Sequence, residues 1–141
     1  MSRETGFFIE LDDKELNAQI EAALKRNPKA TADAVRDCLL DLAGESAHRA
    51  PVDTGDLRNN CTAELNGQTV FARLAPAGPA LPSLRAFGTV GYGLPYALRQ
   101  HEELDYVHPK GGEAKYLEKP FLENVSRYIK RMERVPDEVI K

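Results

Sequence analysis

The sequence predicts a single α+β domain: two N-terminal helices, an antiparallel sheet of about three to five strands, a short helix near 96–104 and a C-terminal helix. Three observations carry this prediction. Apolar residues recur at helical spacing between residues 13 and 50, Asn66-Gly67 separates two short extended runs, and helical spacing returns after Pro120. A chain of 141 residues, 42% of them hydrophobic, suits one domain spanning 1–141.

The N-terminal third predicts an arm or edge strand followed by two helices. Residues 1–11 contain only a brief apolar run, and Asp12 three residues before Glu15 resembles a capping box for a helix over about 13–26. Asn27-Pro28 should end that helix, because a residue before proline avoids helical angles. Thr31 is then the expected N-cap of a second helix that continues to Pro51.

The middle of the chain predicts a β-hairpin. Asn-Gly between two extended runs is a strong signal for a two-residue type I′ turn, since both residues tolerate positive φ angles. Counting back from Asn66-Gly67 places Ala63 opposite Val70. Another extended run covers 84–92, with glycines that indicate a bent or bulged strand.

Proline and glycine define the loops. Residues 76–83 contain three prolines and a glycine, and 107–115 contain Pro109 followed by Gly111-Gly112, so both stretches should be exposed loops. Pro120 suits the first turn of the last helix, and Pro136 ends it, leaving a frayed tail over 136–141. Arg127, Lys130, Arg131 and Arg134 give this helix a basic side that we expect to be solvated.

Charge and cysteine content exclude several function classes. A net charge of −3 provides no overall positive field for holding a polyanion, so nucleic acid is expected only incidentally. Cys38 and Cys61 lack CxxC spacing and should be reduced core residues. The first ten residues do not form a signal sequence, and no apolar run could span a membrane, which predicts a protein made in a cytoplasm without a membrane partner.

Two stretches invite a catalytic or metal-binding interpretation. Asp53-Thr54-Gly55 is the tripeptide of aspartic proteases, but it occurs once, so peptidase activity would require a homodimer and stays a remote alternative. His101 and His108 lie seven residues apart, whereas zinc-binding histidines on a helix lie four apart. Ser46, His48 and Asp53 lie close in sequence, but no GxSxG nucleophile pattern is present, so we expect them to be solvated polar groups at a helix end. We therefore expect no catalytic residues, no metal site and no cofactor.

Three motifs in order resemble the HK97 gp10-like tail-component family of tailed bacteriophages, and they cover roughly residues 30–134. The first is Ala-Pro-Val-Asp-Thr-Gly-x-Leu after a long helix, the second a Tyr-Ala pair followed by His-Glu, and the third a Pro-Phe-Leu helix opening. The residues that carry the resemblance are Pro51, Val52, Asp53, Thr54, Gly55, Leu57, Tyr96, Ala97, His101, Glu102, Pro120, Phe121 and Leu122. After Glu102 the chain departs from the commonest family pattern.

The resemblance implies a structural virion protein, not an enzyme, acting at the head–tail junction as a tail-completion, neck, connector or minor capsid component of a siphophage. Tail terminator and head-closure roles are the alternatives. Such proteins assemble as homo-oligomeric rings, with six- or twelve-fold symmetry, against neighbouring neck or tail proteins at the tail top, after synthesis in the host cytoplasm. A closed ring requires heterologous contacts. We expect them at the hairpin edge and at Pro79, Leu81, Pro82, Leu84 and Phe87.

Overall fold

The computed structural model describes residues 7–49, 60–72, 78, 80–81, 83, 85–92 and 116–139. These residues form three helices and a four-stranded antiparallel sheet, which confirms the predicted α+β class. In chain order the elements are β1 (Phe7–Glu10), α1 (Lys14–Arg26), α2 (Pro28–Arg49), β2 (Cys61–Leu65), β3 (Gln68–Ala72), β4 (Gly88–Tyr92) and α3 (Glu118–Glu133). The predicted helix near 96–104 and the loop 107–115 lie outside the described residues.

Helix α1 begins one residue later than the capping-box pattern suggested. The side chain of Asp13 accepts a hydrogen bond from the Leu16 N–H at 2.9 Å, so Asp13 is the N-cap. Asp12 instead accepts from the side-chain amide of Asn17 at 2.7 Å. Two adjacent aspartates were equally suitable in sequence, and the backbone conformation selects the second.

Asn27 forms the joint between α1 and α2. Its N–H donates to Ala23 O at the end of α1, while its side-chain oxygen accepts from Ala30 N–H at 3.0 Å at the start of α2. Helix α2 therefore begins at Pro28, and the prediction of Thr31 as its N-cap is wrong. A proline at the first helical position loses no hydrogen bond, and Thr31 is buried inside the helix, donating to Asn27 O at 2.8 Å.

The sheet has the strand order β1-β4-β2-β3, so β4 and β2 are the central strands. Asn66 and Gly67 have φ angles of 52° and 82°, which confirms the tight hairpin turn. The predicted register is wrong beyond the turn, because Ala63 lies opposite Phe71 and not Val70. Val70 is the extra residue of a β-bulge, and its side chain is buried in the core. Strict alternation along the strand would not place this large apolar side chain there.

Helix α2 packs very closely on the central strands. All five residues of β4 are buried, and a Cβ added to Gly88 would lie 2.6 Å from Leu39 Cδ2. Cys61 of β2 also lies close to α2, with its Sγ 3.6 Å from Ala43 O. Both cysteines are reduced and buried, in line with their expected core role. Small residues on the two surfaces thus allow the helix to lie near the strand backbone.

The residues before α3 attach it to the sheet. Helix α3 begins at Glu118, two residues before the predicted Pro120, which occupies the first turn as expected. The wholly buried Tyr116 meets the Tyr92 ring edge to face, with ring centroids 5.2 Å apart. The Tyr92 hydroxyl is 2.7 Å from Ser46 Oγ. Ser46 is therefore a buried partner of the sheet, not the solvated helix-end group that its position suggested.

A row of polar contacts joins α2 to α3. Side chains four residues apart on α2 each meet a partner on α3: Asp37 with Arg131 (2.9 Å), Asp41 with Arg127 (2.6 Å), Glu45 with Asn124 (2.5 Å) and Arg49 with Glu123 (2.6 Å). The partners run in opposite directions, so the two helices are antiparallel. Arg127 and Arg131 are thus engaged with α2 while their side chains stay 57% and 39% exposed, so the basic side that we expected to be solvated also contributes to the helix interface.

The C-terminal end of α3 is held by α1. Arg26 donates through Nε to Val135 O and through Nη2 to Met132 O, both at 3.0 Å. Met132 O also accepts from the Val135 N–H at 3.1 Å, and the Val135 carbonyl lies beyond the last turn of α3, so Arg26 caps the C-terminal end of this helix. The Glu138 N–H donates in turn to Arg26 O at 3.0 Å, so the tail is attached at that residue, whereas fraying over 136–141 stays a prediction.

We expect Gly88→Ala to lower the free energy of unfolding by about 1–3 kcal/mol, because the new methyl group collides with Leu39. In a Leu39→Ala background the same change should cost less, since the colliding atoms are gone. Gly44→Ala is the control: Gly44 lies in α2 with open space around it, so alanine should stabilise by about 0.5–1 kcal/mol. Denaturant unfolding measures all of these, and additive costs for Gly88 and Leu39 would contradict the close contact.

Asp41→Ala should destabilise the fold by about 1–3 kcal/mol, because the buried Tyr128 hydroxyl, which donates to Asp41 at 2.7 Å, loses its acceptor. Burial and this hydrogen bond raise the pKa of Tyr128 well above its ordinary value, so the hydroxyl stays protonated. Adding Tyr128→Phe should recover part of the loss. Asp33→Ala, which removes an exposed ion pair with Lys29 on the same helix, should change stability by less than about 0.5 kcal/mol.

Candidate assembly surface

Two of the five predicted assembly contacts are described, and both side chains are exposed. Leu81 is 50% exposed and Phe87 is 39% exposed, as large apolar side chains at a surface. Pro79, Pro82 and Leu84 lie outside the described residues. An exposed apolar side chain indicates an interaction surface when it adjoins further apolar surface. The surroundings of Phe87 meet that condition.

The segment before Phe87 is anchored to the sheet edge at Gly78. The Gly78 N–H donates to Val70 O at 2.9 Å, and Gly78 O accepts from Arg36 Nε at 2.6 Å. A Cβ at Gly78 would lie 2.5 Å from Thr69 O, so only glycine fits this approach. The hairpin edge that we expected to be free for a neighbouring subunit is thus covered at Val70 by the chain itself.

The side chain of Asn66 fixes the backbone on both sides of Ala86. Its Oδ1 accepts from Phe87 N–H and its Nδ2 donates to Arg85 O, both at 2.9 Å. The Asn66 backbone N–H also donates to Phe87 O at 2.8 Å, which continues the pairing of β2 with β4 by one residue. The Arg85 guanidinium lies over the Phe87 ring, 5.1 Å from its centroid. Phe87 is therefore held in a fixed, half-exposed position.

Phe87 borders an open groove of about 330 Å³ between α1 and the β1–β4 edge of the sheet. We call it the Phe87 groove. Its floor consists of the buried or half-buried apolar side chains Leu11, Ile20, Leu24 and Ala86. Its rim carries Phe87, Arg85 and the exposed carboxylates Glu10, Asp12 and Glu21. An apolar floor with a mostly acidic rim suits an apolar side chain flanked by basic groups.

The third family motif divides between core and surface. Pro120 and Phe121 are buried, whereas Leu122 is 63% exposed. Pro120 and Phe121 contribute to the core at the start of the helix. The exposed Leu122 has no such role in the core. The remaining motif residues lie outside the described residues: Pro51, Val52, Asp53, Thr54, Gly55, Leu57, Tyr96, Ala97, His101 and Glu102.

A second cavity, of about 250 Å³, lies between α2 and α3. Its charged lining includes the two ion pairs formed by Asp37 and Asp41, and Cys38 forms part of its wall. Burial raises the pKa of the Cys38 thiol to about 12, so the sulfur is protonated and a poor nucleophile at neutral pH. These groups contact one another across the helix interface, which is a structural arrangement.

The part of the chain that the structure describes contains neither a metal-binding cluster nor a helix that could span a membrane. No group of three or more histidine, cysteine or acidic side chains there is placed to hold a metal ion. None of the three described helices is both long enough and apolar enough to cross a bilayer. Asp53, His101 and His108 lie outside that part, so the peptidase alternative and the expected lack of a metal site stay predictions.

A scan against protein-family models finds no match for this chain, and searches of curated proteins and of solved structures likewise return no significant match. The resemblance to phage tail-component proteins accordingly stays a prediction that rests on the sequence motifs.

Sequence reasoning identified Phe87 but missed the groove beside it. The groove floor combines residues from β1, α1 and the stretch before β4, which are far apart in the chain. The helical spacing of apolar residues predicts that the first helix has a buried face, but nothing in the sequence shows where that face opens. The Asn66-Gly67 pair did signal a turn, but the additional hydrogen bonds of the Asn66 side chain have no sequence signature.

The two roles of Asn66 can be separated by substitution. Asn66→Gly keeps a residue that tolerates φ 52° and removes the side-chain bonds to Arg85 and Phe87, so we expect a loss of about 1–2 kcal/mol in the free energy of unfolding. The Phe87 amide should also exchange faster with solvent. Asn66→Ala should cost more, because alanine adds the strain of positive φ. Unchanged exchange at Phe87 in Asn66→Gly would contradict the proposed fixation.

Proposed function

We propose that this chain is a structural virion protein of a tailed bacteriophage that acts at the head–tail junction, as a tail-completion or neck component assembled into a ring. The observation that supports this most directly is the Phe87 groove: an exposed aromatic side chain held at the border of an apolar, acid-rimmed depression. The three family motifs point to the same class of protein. Binding geometry, and not bond making, is then the function.

The fixation of Phe87 suits an assembly contact. Binding to a surface that is already ordered avoids the entropic cost of immobilising side chains at the moment of association. Three hydrogen bonds from Asn66 and the stacked Arg85 hold Phe87 before any partner arrives. Aromatic side chains at such positions commonly contribute most of the energy of an interface.

The described groups with shifted pKa values all serve the fold, which accords with a non-enzymatic role. Burial raises the pKa of Tyr92, whose hydroxyl pairs with Ser46 inside the core. Glu123 has a lowered pKa because it accepts a hydrogen bond from Arg49 across the α2–α3 interface. In both cases the shift follows from packing or pairing between elements and not from a cleft that could hold a substrate.

Deleting the gene from its phage should yield separated heads and tails, or aberrant tails, when lysates are examined by negative-stain electron microscopy. Free heads that retain DNA beside free complete tails would indicate a joining or head-closure role, and tails of abnormal length would indicate a terminator. Complementation with the wild-type gene is the control. Normal infectious particles from the deletion strain would overturn the proposed function and make Asp53→Asn, assayed for peptidase activity, the next test.

In the same complementation assay, Phe87→Asp should reduce infectious titre by about tenfold or more, because it places an unpaired charge at the apolar contact. Its melting temperature should stay close to that of the wild-type chain, since Phe87 is 39% exposed. Val139→Asp is the matched control, an apolar residue that is 78% exposed and remote from the groove in sequence. Equal titres for Phe87→Asp and wild type would show that the groove is not part of the assembly surface.

A further inference from the structure

We propose that the Asn66-Gly67 turn is a hydrolytic modification site, at which the Asn66 amide becomes a carboxylate only when two hydrogen bonds to the segment before β4 open. These two bonds run from Asn66 Nδ2 to Arg85 O and from the Phe87 N–H to Asn66 Oδ1, and we call them the Asn66 anchor. The site does not depend on the proposed function, because it requires only the turn, its anchor and water.

An asparagine followed by glycine brings together the two groups that react. The Gly67 backbone nitrogen attacks Asn66 Cγ and gives its proton to solvent, so that a succinimide ring closes and the Cγ–Nδ2 bond breaks. Nδ2 takes up a proton and leaves as ammonia. Water then opens the ring at either carbonyl carbon and gives aspartate or isoaspartate. Glycine is the most permissive residue at the second position, because no Cβ hinders the approach of its nitrogen, and asparagine is among the thermolabile residues of proteins.

The Gly67 nitrogen is accessible in the folded chain. Gly67 is exposed, and its N–H makes no hydrogen bond to any other residue that the structure describes. A Cβ built on Gly67 would have nothing within 4 Å, so water and hydroxide can reach this side of the turn. Its φ of 82° also favours glycine over residues that would hinder the attack. Access to the attacking nitrogen therefore does not limit the reaction.

The Asn66 side-chain amide is held away from that nitrogen. Strand β2 lies between β4 and β3 in the sheet, and the turn carries the main chain from β2 to β3. The anchor bonds, both 2.9 Å long, hold the amide on the opposite side, toward β4. Both Oδ1 and Nδ2 are bound, so Cγ cannot turn toward Gly67 without breaking the anchor. The reaction therefore requires local opening, and its rate follows the small fraction of open molecules.

The product cannot restore the anchor. An ionised carboxylate has no donor, so an oxygen faces Arg85 O where Nδ2 donated before, although the Phe87 N–H keeps an acceptor. Isoaspartate adds a methylene to the main chain, which no longer fits a two-residue type I′ turn. The new charge also attracts the Arg85 guanidinium, which lies 5.1 Å from the centroid of the Phe87 ring. Because the ammonia is lost to solvent, conversion releases Phe87 in one direction only.

A time course of peptide mapping by mass spectrometry tests the site. The purified full chain is incubated at neutral pH, folded and in denaturant, and conversion of Asn66 is compared with that of Asn17 and Asn124, which precede alanine and valine. In denaturant Asn66 should convert fastest of the three. Folding should slow its conversion by about ten- to a hundredfold without abolishing it. Equal rates in the two conditions, or an Asn66 that stays intact throughout in the folded chain, would overturn the proposal.

Variants separate the anchor from general stability. Phe87→Pro removes the N–H that donates to Oδ1, and Arg85→Gly loosens the backbone while keeping both anchor partners, so each should speed Asn66 conversion in the folded chain by about fivefold. Asp41→Ala is the matched control, because it weakens the α2–α3 interface and leaves the anchor in place. Wild-type rates in both anchor variants, or an equal acceleration by Asp41→Ala, would show that the anchor does not control the reaction.

The converted chain provides the last measurement, after its separation from the unconverted chain by ion exchange. Its Phe87 amide should exchange with solvent faster than in the unconverted chain, because the turn no longer fixes the segment before β4. Asn66→Asp carries the carboxylate on an unaltered main chain and should show a smaller increase in exchange than the isoaspartate product. Identical exchange at Phe87 before and after conversion would contradict its release.

Discussion

The close approach of α2 to the two central strands is the constraint on which the rest of the fold depends. Gly88 and Ala63 offer almost no side chain, so Leu39 reaches the backbone of β4 and Ala43 O meets the Cys61 thiol. A helix at this depth presents its opposite side to α3 and its N-terminal end to α1. The sheet, the buried tyrosines and the two flanking helices are all positioned by that one approach.

The contacts around α2 divide by chemistry. Toward the sheet they are apolar, apart from the Ser46–Tyr92 pair, and toward α3 they are polar at four-residue intervals. The apolar interface sets how deeply α2 lies. The four polar contacts set the alignment of α3 along it, because sliding α3 by one turn in either direction would separate these partners. Arg26 also restricts the position of α3, because it holds the C-terminal carbonyls of α3 to the end of α1.

The sequence was sufficient for the class of fold and the existence of the described elements, since these depend on periodicity and turn chemistry within short windows. It was insufficient where two local solutions competed. Both Asn27 and Thr31 can cap a helix, and proline at position 28 permits the earlier one. Strict alternation and a bulge both fit the run after Gly67, and only packing of Val70 into the core decides for the bulge. The groove was unpredictable because its floor joins separate elements.

The charges of α3 contribute to its alignment on α2. Its arginines, Arg127 and Arg131, meet Asp41 and Asp37 of α2, whereas Lys119 acts within the helix and helps to lower the pKa of Glu123. If the basic side of the helix existed only for solubility, arginine and lysine would be interchangeable along it. A planar guanidinium group instead suits the two interhelical pairs, because it presents N–H donors to a carboxylate in a fixed geometry.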